Sequence, residues 1–346
     1  MTEAAAQLGR FATVTAPRHA AWYQLADGVL GINTDDRTFG QRFQELYAEC
    51  ERGSPDDGDA SGAARVRCTV RTDAASAVSL VAFQDPEPLD QLAFTLALFP
   101  ARGYHEIASP VAGWRLLDGP GVVAFSDRHV LTHCDRPWQR LVANLAVNRV
   151  LRLQRDTLFF HAAAVSVRGS GVALMGPKGT GKTTLSLAVA SHGHGFLGDE
   201  IVGFRVASRD LIPLRRAAYI RPGPAAGLVR AAVTRAHLPA ETFPDGSVRW
   251  RAHVGRLLGT EPPSPVPLWG IVFLRGFGKS PRLTRLHAGR ELLPWLTPLA
   301  CSLWGSSAQR RALQLMQMLS SVPCFALTAG PPDDTAELVA ALVEDR

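Results

Sequence analysis

The residues best suited to chemistry lie between positions 175 and 200. Met175-Gly176-Pro177-Lys178-Gly179-Thr180-Gly181-Lys182-Thr183-Thr184 matches G-x-x-x-x-G-K-[ST], with Gly176, Gly181, Lys182 and Thr183 in the required slots. Glycines at both ends let the backbone curl until successive N–H groups point at phosphate oxygens. A helix starting near Lys182 would aim the positive end of its dipole at the same point. In such a loop the lysine reaches the β- and γ-phosphates and the threonine hydroxyl ligates Mg²⁺. The match therefore predicts a nucleoside-phosphate site built from Gly176, Lys178, Gly179, Thr180, Gly181, Lys182, Thr183 and Thr184. Asp199-Glu200 follows Lys182 by seventeen positions, room for one helix and a short return strand. Two carboxylates then arrive beside the loop. One can hold metal while the other accepts the proton of an attacking hydroxyl. In an alternative reading both hold metal and the attacking group is water.

The flanking sequence must position these groups. Phe159-Phe160-His161-Ala162-Ala163-Ala164-Val165-Ser166-Val167, a turn at Arg168-Gly169, and Gly171-Val172-Ala173-Leu174-Met175 read as a β-hairpin running into the loop. Residues 184–190 leave it as a buried helix, ended by Gly193-His194-Gly195, and residues 196–206 read as one strand. Further on, residues 270–274 and 323–327 read as buried strands. A helix from Ser307 would turn Leu313, Met316, Leu319 and Val322 to the core, with Met316 and Met318 as core filler, and Asp333-Asp334-Thr335 would cap a last helix. Residues 262–267 read as a stiff proline-rich loop.

Upstream, residues 20–25 and 28–32 read as strands, and Phe39, Phe43, Leu46 and Tyr47 recur at helical intervals. The acidic run around Asp56, Asp57 and Asp59 lacks the ligand order of a calcium loop and reads as a polar break. Strand-like runs occur at 66–70, 78–83 and 121–125, while 92–99 is ambiguous between strand and helix. His129 and His133 would share a helix face suited to metal, but their β-branched neighbours point to a strand. His192 and His194 read as loop packing on the same comparison with a metal site. A largely buried helix opening at Asp135-Arg136-Pro137 joins an N-terminal α+β domain, 1–150, to a nucleotide domain, 151–346.

Composition narrows the class. With 346 residues, 46% of them hydrophobic, the chain can build two cores. A net charge of +6 without a lysine or arginine run excludes a nucleic-acid reading and suits an anionic ligand. The five cysteines, Cys50, Cys68, Cys134, Cys301 and Cys324, form neither a C-x-x-C pair nor a disulfide framework. With no signal peptide or spanning segment in view, a cytoplasmic protein with no membrane partner is expected.

Taken together, Phe160-His161-Ala162-Ala163-Ala164-Val165, the phosphate loop and Gly193-His194-Gly195-Phe196-Leu197-Gly198-Asp199-Glu200 resemble the HPr serine kinase family. The resemblance covers residues 159–205 and implies an α/β fold with a phosphoenolpyruvate-carboxykinase-like P-loop domain. It also implies ATP and Mg²⁺ as cofactors. Carried onto this sequence, it makes Asp199 the base, places Glu200 with Thr183 at the metal, and sets His161 against the γ-phosphate. Arg221 would neutralise the transferring phosphate or hold an anionic acceptor, with a solvated surface arginine as the alternative. Asp199-Glu200 stands where the family has Asp-Asp, Lys178 where serine is common, and residues 1–150 do not resemble the namesake's N-terminal domain. The implied acceptor is accordingly a hydroxyl on a peptide or protein serine, such as a natural-product precursor peptide, rather than HPr. Two other readings remain open: a kinase for free serine or a sugar, and a nucleotide-sensing scaffold. Residues 1–150 are assigned to substrate or partner binding, and homo-oligomerisation is left open.

Overall fold

Strand β1 (His19–Leu25) turns through Ala26-Asp27 into β2 (Gly28–Thr34), a hairpin of alternating apolar residues. Helix α1 (Arg37–Tyr47) starts where the Asp36 carboxylate accepts from the Thr38 and Phe39 N–H groups at 2.8 and 3.1 Å. Phe39, Phe43 and Tyr47, four apart, form its buried stripe. The Phe43 ring meets Tyr23 of β1 edge-on at 4.9 Å. Leu46, expected on that stripe, is only half-buried.

The computed structural model describes residues 19–53, 65–71, 104–106, 113–116, 121–125, 129–133, 143, 146–148, 150–151, 154–223, 227, 237–238, 240–242, 246–260, 264–287, 292–296, 299 and 308–344. The runs read at 54–62, 78–83 and 92–99 lie outside these residues. The chain divides into two compact units that part between Gln154 and Arg155.

In the first unit β3 (Glu51–Arg52), β4 (Arg65–Arg71), β5 (Tyr104–Glu106), β6 (Gly113–Leu116), β7 (Gly121–Phe125) and β8 (His129–His133) complete a sheet ordered β3-β1-β2-β4-β8-β7-β6-β5. The β2–β4 and β4–β8 pairs are parallel and the others antiparallel. His129 and His133 thus lie on a strand, as their β-branched neighbours predict. Of the helix read from 135, Ala146, Val147, Val150 and Leu151 are helical and buried.

The second unit is a mixed α/β structure around a large mixed sheet. Its elements are β9 (Thr157–Phe160), β10 (Ala163–Val167), β11 (Ser170–Met175), α2 (Lys182–Ser191), β12 (Gly195–Gly198), β13 (Val202–Arg205) and β14 (Asp210–Ile212). After them come β15 (Ala218–Ile220), β16 (Ala240–Thr242), β17 (Val248–Ala252), α3 (Val254–Leu258), β18 (Val266–Phe277) and β19 (Arg282–Leu286). Helices α4 (Leu293–Leu296) and α5 (Ala308–Ser321), strand β20 (Cys324–Ala329) and helix α6 (Pro332–Glu344) end the unit. The main sheet runs β12-β10-β11-β18-β14-β13-β9, with β20 and β19 added beside β18. Strand β18 is parallel to both β11 and β20, so all three end on one edge. Its residues alternate between two cores. Val272 and Leu274 pack with Leu185, Val189, Val339 and Val343 of α2 and α6. Ile271 and Phe273 pack with Leu315, Met318 and Leu319 of α5. Helices thus cover both faces. Strands β15, β17 and β16 form a separate small sheet.

Several expectations change. Val266 and Pro267, read as loop, begin β18 at a position where proline's missing N–H is tolerated. The buried face of α5 is Leu315, Met318, Leu319 and Val322, whereas Leu313 and Met316 are exposed. Met318, Leu319 and Val322 are buried as expected, whereas Leu315 takes the buried place expected of Leu313 and Met316, because packing turned the helix part of a turn from the face the pattern suggested. Asp333 and Asp334 lie within the first turn of α6 rather than ahead of it, where they complement its dipole. No helix among the described residues is long and apolar enough to cross a membrane.

Candidate functional site

Strand β11 delivers the loop, and the loop's backbone explains its glycines. Gly176, Gly179 and Gly181 have φ of 153°, 90° and 93°. At Gly176 a Cβ would also lie 2.8 Å from Thr180 Oγ1 and 2.9 Å from the Leu274 carbonyl oxygen. Helix α2 opens at Gly181 with no side-chain cap, so its first N–H groups are not taken by a side chain of the chain itself. Thr180 Oγ1 donates to the Pro177 carbonyl at 2.9 Å and braces the turn, whose tip, Pro177-Lys178-Gly179, is exposed. Thr184 is half-buried in the first turn of α2. The Lys182 ammonium folds back to the Gly176 and Pro177 carbonyls at 2.7 and 3.1 Å. Burial pulls its pKa below the ordinary range, and the Asp199 and Glu200 charges oppose that shift.

The acidic pair is presented by two breaks that face each other. The run 159–167, read as one strand, is two: β9 pairs with β13, and β10 pairs with β11 and β12. The run 196–206 is likewise split into β12 and β13. Phe160 pairs with Val202 and Ala164 with Gly198, so both chains leave the ladder at the same level. His161 lies in one break and Asp199-Glu200 in the other. Apolar residues on both sides of His161 and of Asp199-Glu200 let each run be read as a single strand across its break. Glu200 sits at φ 72°, a left-handed conformation that costs a side-chain-bearing residue on the order of 1–2 kcal/mol.

Three contacts tie the groups together. Thr183 Oγ1 donates to Asp199 Oδ2 at 2.8 Å. His161 Nδ1 lies 3.1 Å from the Glu200 carbonyl oxygen and 3.4 Å from its Oε2. The His161 N–H donates to the Leu299 carbonyl at 2.6 Å, which fixes the break in place. Asp199 is 3% exposed, and burial, reinforced by the Glu200 charge, pushes its carboxyl up to about 6. The Thr183 hydrogen bond and Lys182 counter part of that shift. Burial also acts to raise Glu200, but Arg216, His161, Lys182 and Arg249 outweigh it and hold that carboxyl below its usual range. Burial lowers the pKa of His161, leaving the ring neutral at pH 7. A neutral ring whose Nδ1–H donates to the Glu200 carbonyl keeps its lone pair on Nε2. The pair is therefore divided: Glu200 is held ionised and the Asp199 carboxyl is the more basic of the two.

Arg221 lies exposed just beyond β15. The arginines whose charge bears on Glu200 are Arg216, which precedes β15, and Arg249 of β17. Neither was singled out as a site residue from the sequence. Arg249 had one signal, the alternation Arg249-Trp250-Arg251, which puts both arginines on the face of β17 opposite Trp250. Arg215 is buried and structural, donating to the Phe196 carbonyl at 2.9 Å and the Thr260 hydroxyl at 3.1 Å. His192 pairs with Asp333 at 3.1 Å, and no cluster of three or more metal-ligating side chains occurs among the described residues.

No protein-family model matches the chain, and no curated protein matches it. Among solved structures, the Hpr(Ser) kinase/phosphatase from Coxiella burnetii aligns at 14% identity, covering 54% of this chain and 94% of that one, with a TM-score of 0.28. A superposition at that level carries no argument about fold or activity.

Proposed function

We propose that residues 151–346 form a P-loop kinase domain that transfers the γ-phosphate of ATP to a hydroxyl, with a peptide or protein serine as acceptor. One contact supports the reading above the others: the 2.8 Å hydrogen bond from the phosphate-loop Thr183 to Asp199. It joins the residue that would meet the metal and phosphates to the carboxylate with the raised pKa. In this reading the acceptor oxygen bonds to the γ-phosphorus, the bond from that phosphorus to the β-bridging oxygen breaks, and ADP leaves. Asp199, ionised above about pH 6, takes the hydroxyl proton. Lys182 and the N–H groups at the start of α2 hold the phosphates. His161, whose Nε2 carries a lone pair, contacts the γ-phosphoryl group through a bridging water that donates to both rather than through a full charge.

The donor set fits Mg²⁺: the Thr183 hydroxyl and the Asp199 and Glu200 carboxylates are hard oxygen ligands, and Mg²⁺ favours one or two carboxylates beside phosphate oxygens. Thr183 and Glu200 would hold it, and when bound it neutralises charge on the phosphates. The test is incubation of the full chain with ATP, Mg²⁺ and candidate peptides, with mass spectrometry for an added phosphate. Transfer by wild type, lost in Lys182→Ala and Asp199→Asn, is expected. Transfer by Asp199→Asn at the wild-type rate would refute the base assignment. The Arg216 and Arg249 charges near Glu200 favour a second reading, a small anionic hydroxy compound as acceptor. Phosphate found on such metabolites and never on peptides decides for it.

A further inference from the structure

Strand β18 lies on the side of β11 opposite β10 and β12, the strand that ends just before Asp199, and runs past the end of β11 beside the phosphate loop. Its last residues break the alternation of a regular strand. Phe273 and Arg275 face Trp295: the Phe273 ring meets it edge-on at 5.4 Å, and the Arg275 guanidinium lies 4.0 Å over it. Leu274 faces the α2 side. Continued alternation would send Phe277 to the Trp295 side. It does not go there. A register shift between Leu274 and Gly276 against β20 inserts one extra residue, and Gly276 takes φ 149°, open to glycine without cost. Phe277 is thereby turned onto the face of Leu274. A Cβ placed on Gly181 would lie 3.3 Å from the Phe277 ring. The ring is 67% exposed, the most exposed large apolar side chain among the described residues.

The bulge turns an aromatic ring into solvent beside the phosphate loop, where most of its apolar surface is left unburied. The chemistry at the loop accounts for it. A nucleotide with its terminal phosphate at Asp199, beyond the end of β12, and its chain laid across the loop towards β18 brings its ribose and base to the Gly181 side of the loop. That is where the Phe277 ring lies. We propose that Phe277 is the stacking platform for the nucleobase, placed there by the β18 bulge. The inference rests on the nucleotide-binding reading above and adds the recognition of the base to it. Stacking of this kind tolerates any purine, because every base offers a π face.

The test compares binding of ATP and of inorganic tripolyphosphate, each with Mg²⁺, to the full-length wild type, Phe277→Ala and Phe277→Trp by calorimetry. Phe277→Ala should weaken ATP about tenfold and leave tripolyphosphate unchanged, whereas Phe277→Trp should keep the wild-type affinity for ATP. The exposed ring makes loss of folding a poor explanation of any change, and equal melting temperatures check that. Unchanged ATP binding in Phe277→Ala, or equal weakening of both ligands, overturns the platform and leaves the phosphate loop standing. Failure of the wild type to bind either ligand overturns the nucleotide reading and the platform with it.

Discussion

The two flanks of the glycine loop, residues 176–181, are built on opposite principles. On the β12 side, the groups are polar and held by the backbone: Asp199 is almost fully enclosed, half-buried Glu200 is left-handed, and half-buried His161 is locked to two backbone carbonyls. On the β18 side, one apolar ring stands in solvent beside Gly181 with little holding it. The first flank spends stability to place charge, as sites that move protons do. The second spends burial to offer surface, as sites that recognise a ring do. Under the proposed function the first governs the rate of transfer and the second the affinity for nucleotide.

Four measurements sharpen or break that contrast. Asp199→Asn should lower kcat for transfer by about a thousandfold, in the range of a lost general base, while nucleotide affinity stays within a few fold. A comparable loss of affinity would dissolve the division of labour. The same substitution should stabilise the fold at neutral pH by up to about 3 kcal/mol, since one pKa unit corresponds to about 1.4 kcal/mol. The sign follows from the raised pKa. With Asp199 near 3.8 unfolded and about 6 folded, the folded state holds more protons between those values, so wild-type stability falls as pH rises through that window. Denaturation of both proteins from pH 4 to pH 8 should therefore show a gap that is absent at the acid end and full above about pH 6.

The third effect is smaller and lies on the other flank. Phe277→Ala should raise the KM for ATP about tenfold with kcat little changed, the reverse of the Asp199 pattern in steady-state kinetics. The smallest concerns backbone strain alone. Glu200→Gly and Glu200→Ala both remove the carboxylate, but only glycine relieves φ 72°, so Glu200→Gly should be the more stable by about 1 kcal/mol in urea denaturation. Equal stabilities would mean that the conformation at Glu200 stores no strain.

Much of this was legible in the residue order. The loop motif, the helix after it and the acidic pair one helix later are local features, so spacing alone predicted their elements. The Phe39, Phe43 and Tyr47 stripe was legible for the same reason. The paired breaks at His161 and Asp199 were not, because apolar residues flank each polar position on both sides and each run reads as one strand. Nor was the phase of α5, where Met316 and Leu313 were as good candidates for burial as Met318 and Leu315.

By itself the sequence determined what lies next to what along the chain: strand, glycine loop, helix and carboxylates, with the composition to bury them. Only the tertiary structure decided what lies across from what. It brought His161 to Glu200 over 39 positions, chose Arg216 and Arg249 over Arg221 as the arginine charges that bear on Glu200, and turned Phe277 toward the loop through a one-residue bulge. Local geometry is set by backbone and side-chain sterics that neighbouring residues specify. Pairings across a sheet depend on register, which a single inserted residue can shift and which no local pattern records.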